Sequence, residues 1–274
     1  MAERGNRNGL GHQITMLRTL CVLAFVLAYL LLIGVPAVVY SAITGSSERL
    51  YRVGLTGIRI ALRLAGVRMI ICGRENLAAD RAVVYMSNHQ GNVDPPALLV
   101  TLPPIRILVK KELFRIPILG YGMRLCGFIP VNRKSREQAF AAVEEATEKL
   151  MAGHSFLVFP EGTRSLDGRL LPFKKGVFMM AIRARVPIVP ISISGSNKIM
   201  QKGKLVIRPG LVRITVHDPI PTAGYSVDDR ERLLEQVRAA ILEGLEPNEW
   251  PIPLMSQSQQ GESARRRRFH DNHG

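Results

Sequence analysis

Residues 82–96 read AVVYMSNHQGNVDPP, a short apolar run that passes into a polar loop and ends at two prolines. The β-branched and aromatic run suits a buried strand, and proline is favoured at the first position of a helix. The stretch therefore predicts strand, turn and helix start, with Asp94 as the natural N-cap and His89 in the turn. Working outward, similar runs recur as VRMII (67–71), IRILV (105–109), SFLVF (155–159), PIVPISIS (187–194), KLVI (204–207) and VRITV (212–216). Helical patterns lie between them. Within 135–151, Phe140, Val143, Ala146 and Leu150 fall at helical spacing behind Ser135 as N-cap, and Gly153 acts as a stop. A last helix is expected over 227–245, with Ser226 and Asp229 in capping-box positions and Leu233, Leu234, Val237 and Ile241 on its buried face. Strands alternating with helices predict an α/β fold, a sheet covered by helices.

The chain has 274 residues, 47% of them hydrophobic, enough to bury one sizeable core and too apolar for a disordered basic protein. The expected division is N-terminal membrane-anchoring helices at 1–65, an α/β domain at 66–250, and a basic, disordered tail at 251–274 that ends in Arg265 to Arg268. Three cysteines without metal-type spacing argue against a disulfide scaffold and a zinc ribbon, and nothing in the chain calls for a metal. A formal charge of +15 demands an anionic partner, which could be nucleic acid, an anionic membrane surface or a phosphate-bearing small molecule.

Residues 20–40, LCVLAFVLAYLLLIGVPAVVY, carry no charge and are long enough to cross a hydrocarbon core of about 30 Å as a helix. Gly34 and Pro36 leave a kinked or re-entrant form open as well. Beyond it, Arg49, Arg52, Thr56, Arg59 and Arg63 share one helical face, with Leu50, Val53, Leu55, Ile58, Ile60, Leu62 and Leu64 on the remainder. Two readings fit: a helix lying along an anionic bilayer with its aliphatics sunk into lipid, or a helix packed on its own domain with a solvated basic face. Arginines also precede the apolar run at Arg4, Arg7 and Arg18, but the larger count after it favours the cytoplasmic side for the body of the chain.

Two loops carry candidate chemistry. In the first, Gly91 and Asn92 allow the chain to curl so that the Asp94 carboxylate meets the His89 imidazole. One ring nitrogen would then donate to Asp94 and leave the other free to accept a proton near neutral pH. The plainer reading has Asp94 as a cap and His89 as a loop residue. The second loop, FPEGTRS (159–165), also follows an apolar strand, so both lie at the edge of the sheet where open α/β folds bind ligands. Arg164 offers a fork for a phosphate, Thr163 a hydroxyl and Gly162 a close backbone approach. A surface turn with a solvated Arg–Glu pair is the alternative. Lys110, Lys111, Arg133, Lys174 and Lys175 add positive charge, and each alone reads as a surface cation.

From about Gly66 to Ile220 the chain resembles the 1-acyl-sn-glycerol-3-phosphate acyltransferase family, the bacterial PlsC-like enzymes. NHQGNVD resembles the family's first motif, FPEGTRS the third and VPIVPI (186–191) the fourth, in the family's order. GFIPVNR (127–133) departs from the second motif at Pro130 and Asn132 while keeping Gly127 and Arg133. The resemblance implies a mixed, largely parallel sheet behind N-terminal membrane helices. It implies an enzyme in which His89, oriented by Asp94, is the general base that moves an acyl chain from a thioester to the sn-2 hydroxyl of lysophosphatidic acid. Glu161, Gly162, Thr163 and Arg164, assisted by Lys110 and Arg133, would hold the glycerol phosphate, and residues 186–191 are candidates for the acyl pocket, although a buried strand explains them equally well. Acyl-CoA or acyl-carrier protein would serve as co-substrate with no cofactor, and the site would face the cytoplasm at a bacterial inner membrane among its phospholipids. An acyltransferase of the same superfamily acting on another lysolipid, such as a lyso-ornithine lipid, shares the base motif. A membrane-bound anionic-ligand or nucleic-acid binder remains the rival from another class, although no nucleic-acid motif is present and no nucleic acid is expected as a partner.

Overall fold

The computed structural model describes residues 2–252, and side chains from residue 12 onward; the basic tail expected at 251–274 lies outside the described residues from 253 onward. The apolar N-terminus forms one continuous helical rod. Helix α1 (Ala2–Tyr29) passes through a single π-turn at Leu30–Gly34 into α2 (Val35–Thr44), with Pro36 in the first turn of α2. The π-turn absorbs the Gly34 and Pro36 irregularity without breaking the rod. The stretch His12–Thr44 is the one described helix long and apolar enough to cross a membrane, at mean hydropathy 2.7 over its best window. Gly45, at φ +70°, ends the rod by donating its N–H to Ser41 O at 2.9 Å, a left-handed turn that glycine adopts without steric cost. The chain then reverses into α3 (Ser47–Leu64).

On α3 the arginine face is exposed at Arg49, Arg52, Arg59 and Arg63. Its aliphatic face does not lie open to lipid: Leu62 is buried, and Tyr51, Leu55 and Ile58 pack against the core of the domain. Of the two readings of that helix, the packing matches the one in which its apolar side covers its own domain. A buried apolar stripe against the sheet removes more hydrocarbon from water than either face could alone.

The domain follows as β1 (Val67–Cys72), β2 (Val84–Ser87), α4 (Asp94–Thr101), β3 (Arg106–Lys110), α5 (Leu119–Leu125), β4 (Ile129–Val131), α6 (Arg136–Met151), β5 (Phe156–Val158), α7 (Phe178–Ala184), β6 (Ile188–Ser194), β7 (Gly210–Val216) and α8 (Arg230–Glu243). Seven strands form one sheet in the order β1-β7-β6-β2-β5-β3-β4, parallel at every pairing except β6 with β7. The expected mixed, largely parallel sheet is therefore present. Alternate residues of each central strand enter opposite cores, as the two-residue repeat of a pleated strand requires. Tyr85, Leu157 and Ile191 join α3 and α4 on one face, whereas Met86, Phe156 and Ile188 join α6, α7 and α8 on the other.

Several local expectations need correction. KLVI is not a strand. Ile207 N donates to Thr19 Oγ1 on α1 at 3.0 Å, so a helix hydroxyl takes the place of a ladder partner. Conversely, Ile129–Val131 is a strand despite Pro130, which the sheet tolerates because β4 is its edge. Phe140 is exposed on α6 with the Arg183 guanidinium over its ring. The buried stripe there runs through Ala142, Ala146 and Leu150, and Phe140 stands two residues off it. α8 begins at Arg230 rather than near 227, since Ser226 donates from both N and Oγ to Asp229 Oδ2 and so closes a turn ahead of the helix.

Candidate active site

Strands β2, β3, β4, β5 and β6 run parallel, so the loops that leave their carboxyl ends share one edge of the sheet. Lys110 ends β3, Arg133 follows β4, FPEGTRS follows β5, and His89 follows β2 at the sheet's centre. The first loop is anchored by Asn88. Its amide donates to Ile193 O and accepts from Ile193 N, both at 2.8 Å, and so continues the β2–β6 ladder with a side chain.

His89 Nδ1 lies 2.7 Å from Asp94 Oδ2. Asp94 is completely buried, and the same Oδ2 also accepts the N–H groups of Gln90 at 2.7 Å and Gly91 at 2.8 Å. The expectation that Asp94 caps its helix is therefore corrected. Asp94 is the first residue of α4 and Val93 its N-cap, and the carboxylate turns back into the loop. The physical reason is the Pro95-Pro96 pair, which offers no N–H for a cap to accept. Gly91 is needed for close approach, because a Cβ there would stand 2.8 Å from Ser196 O. The imidazole stacks on Phe159 at 4.1 Å between ring centres, and its Nε2 makes no hydrogen bond to the described residues.

The second loop locks the first in place. Ser165 N donates to His89 O at 2.8 Å, and His89 N donates to Glu161 Oε1 at 2.8 Å. Glu161, expected among the phosphate ligands, has its carboxyl buried against the main chain of His89. Burial pushes the Glu161 carboxyl up to about 8, assisted by the nearby Asp94 charge and opposed by the hydrogen bond from His89. Between the ordinary carboxyl value and about 8 the folded chain thus keeps a proton that the unfolded chain releases, so stability is lost as pH rises through that window. Glu161→Gln keeps an acceptor for His89 N and removes the titration. Its melting temperature is expected to fall less than that of the wild type between pH 5 and pH 8; parallel curves would rule out titration of Glu161 in that window.

The remaining predicted residues border the same edge. Gly162 has φ +68°, and the Lys174 side chain crosses it where a Cβ would come within 2.7 Å. Arg133 lies close enough to Arg164 for that charge, after desolvation, to lower its pKa, while Glu112 opposes both. Lys110 pairs with Glu112 at 3.7 Å. Lys202, which the sequence reading did not single out, donates to Thr163 Oγ1 at 3.0 Å and to Arg164 O at 3.2 Å. Asn88, Phe159 and Ser165 lie inside the quoted motifs but had been given no task.

An apolar cavity of about 330 Å³ lies between α1, α3, α4 and α5. Tyr29, Leu30, Leu55, Ile58, Leu99 and Phe128 are among its walls. Residues 186–191, expected as acyl-pocket candidates, do not line it. From Ile188 onward they form the buried β6, whose two faces are already filled by the two cores.

A family model described as Acyltransferase matches residues 68–194. A 1-acyl-sn-glycerol-3-phosphate acyltransferase of Borreliella burgdorferi is 36% identical over 191 residues, covering 69% of this chain and 76% of that one. The human 1-acyl-sn-glycerol-3-phosphate acyltransferase alpha is 31% identical over 225 residues, 80% of this chain and 78% of that protein. The match to a Chlamydomonas reinhardtii relative, 37% identical over 182 residues, takes in 66% of this chain but spans about half of that protein's length, 54%. The crystal structure of the 1-acyl-sn-glycerophosphate acyltransferase PlsC from Thermotoga maritima superposes with a TM-score of 0.75 at 30% identity, covering 85% of this chain and 95% of that one.

Proposed function

The chain belongs to the 1-acyl-sn-glycerol-3-phosphate acyltransferase family, and from that premise we propose that it acylates lysophosphatidic acid at the sn-2 hydroxyl to give phosphatidic acid. The observation that carries this reading is the pairing of His89 Nδ1 with Asp94 Oδ2 at 2.7 Å, at the sheet edge that also carries Lys110, Arg133 and Arg164. His89 Nε2 takes the hydroxyl proton as the sn-2 oxygen attacks the carbonyl carbon of an acyl thioester. The C–S bond then breaks, and the imidazolium returns its proton to the departing thiolate. Asp94 holds the ring in the tautomer with hydrogen on Nδ1 and stabilises the imidazolium. Arg164 and Arg133, with Thr163 and the Gly162 turn, bind the phosphate, and Lys110 adds charge. Glu161 acts through the main chain of His89 and does not touch substrate.

The apolar cavity receives an acyl chain, because its volume lies in the range of ligand pockets, about 300–1,000 Å³, and its walls are aliphatic and aromatic. Its wall residue Leu99 stands on α4, the helix that begins at Asp94. The apolar rod His12–Thr44 attaches the enzyme to the membrane, and the arginine face of α3 favours the cytoplasmic leaflet, where acyl-CoA or acyl-carrier protein supplies the thioester.

The test is direct. Membranes carrying the protein, offered lysophosphatidic acid with each thioester, are expected to release free thiol in step with phosphatidic acid. Thiol release that needs a different lysolipid, or none, would overturn the acceptor assignment. Tight salt-sensitive DNA binding without thioester consumption would overturn the enzyme.

A further inference from the structure

We propose that Lys202 is a positioning residue of the acceptor site, holding the Thr163–Arg164 segment and adding a positive charge beside the acceptor's phosphate. The proposal rests on the reading of the acceptor as a phosphate-bearing lysolipid. Lys202 lies in the turn after β6, whose carboxyl end opens at the same edge as those of β2 and β5. That turn touches both loops of the site. Asn92 N donates to Met200 O at 3.0 Å and Asn92 Nδ2 to Gln201 O at 3.4 Å, while Lys202 Nζ donates to Thr163 Oγ1 at 3.0 Å and Arg164 O at 3.2 Å.

Two consequences follow from the direction of these bonds. Since Thr163 Oγ1 accepts from Lys202, its own hydrogen points elsewhere and is free to donate to a ligand. Since the Arg164 carbonyl is fixed, the peptide that carries the Arg164 side chain is fixed as well. An ammonium has three N–H groups and two of them are used here, so one remains. Among the described residues neither Lys202 nor Arg164 has a carboxylate within ion-pair distance, although Arg133 and Arg164 already repel each other. A phosphate placed among these cations relieves that repulsion and gains charge-assisted hydrogen bonds.

The test compares the full-length wild type, K202M and K202R on vesicles containing either lysophosphatidic acid or 1-acylglycerol, which lacks the phosphate. K202M is expected to raise KM for lysophosphatidic acid by about tenfold or more, the loss of a hydrogen bond to a charged group. The KM for the thioester and kcat should change little, the preference for the phosphate-bearing acceptor should shrink, and K202R should restore most of it. A purely structural lysine would lower activity on both acceptors alike, so an unchanged preference in K202M overturns the proposal. If K202M melts early, K202Q is judged by the same ratio, since it removes the charge and keeps a neutral N–H donor on a side chain one atom shorter. A wild type that acylates 1-acylglycerol as readily as lysophosphatidic acid would sink the underlying functional reading, and the Lys202 proposal with it.

Discussion

His89→Ala is expected to fold, to remain with the membrane and to lose about two to four powers of ten in transfer rate, the usual worth of a positioned general base. The fold should survive because the two main-chain bonds of His89, to Glu161 and from Ser165, do not involve the ring. Asp94 Oδ2 would still accept the N–H groups of Gln90 and Gly91. The losses are the stack on Phe159 and the bond to Asp94, neither of which holds the N-terminal rod. Thiol release at saturating substrate, with sedimentation on vesicles as the control, measures both halves of the expectation. Turnover near the wild-type rate would remove the imidazole from the mechanism.

Asp94→Asn separates geometry from charge. With its carbonyl oxygen at the position of Oδ2, an asparagine can still accept from His89 Nδ1, Gln90 N and Gly91 N, so the loop and the tautomer are retained. The negative charge that steadies the imidazolium is lost. Two unit charges about 4 Å apart at an effective dielectric of about 20 interact by about 4 kcal/mol, so kcat should fall by about a thousandfold. Asp94→Ala removes the acceptor as well and leaves several buried N–H groups unpaired, at about 1–3 kcal/mol each. It should therefore lose stability in addition to activity. A D94N enzyme with wild-type kcat would mean that the aspartate serves only as a scaffold.

The His89–Asp94 contact was legible in the sequence because the two residues are five apart on one loop, and the flexible Gly91 and the paired prolines allow few ways to close it. The prolines were also misread in one respect. They mark the helix start, but by withholding N–H groups they send the Asp94 carboxylate back to the loop instead of into the helix. Glu161 looked like a headgroup ligand beside Arg164, and its acceptance of the His89 N–H across 72 residues could not be read from spacing. Lys202 was missed for the same reason, since an isolated lysine in MQKGK carries no pattern, and the partners that give it meaning lie 38 and 39 residues earlier.

By itself, the sequence determined the alternation of strands and helices, the apolar N-terminal rod and the residue types able to do acid–base and anion chemistry, because periodicity and turn chemistry are local properties of the chain. Only the tertiary structure decided that Pro130 sits in an edge strand, that α3 buries its aliphatic side on the domain, and that the apolar cavity lies among helices while β6 fills the core. It also decided which carboxyl lies beneath the histidine and which lysine braces the arginine loop. Those outcomes depend on which strands lie side by side, and parallel pairing brings loops far apart in sequence to a common edge where one group's burial or charge sets the role of the next.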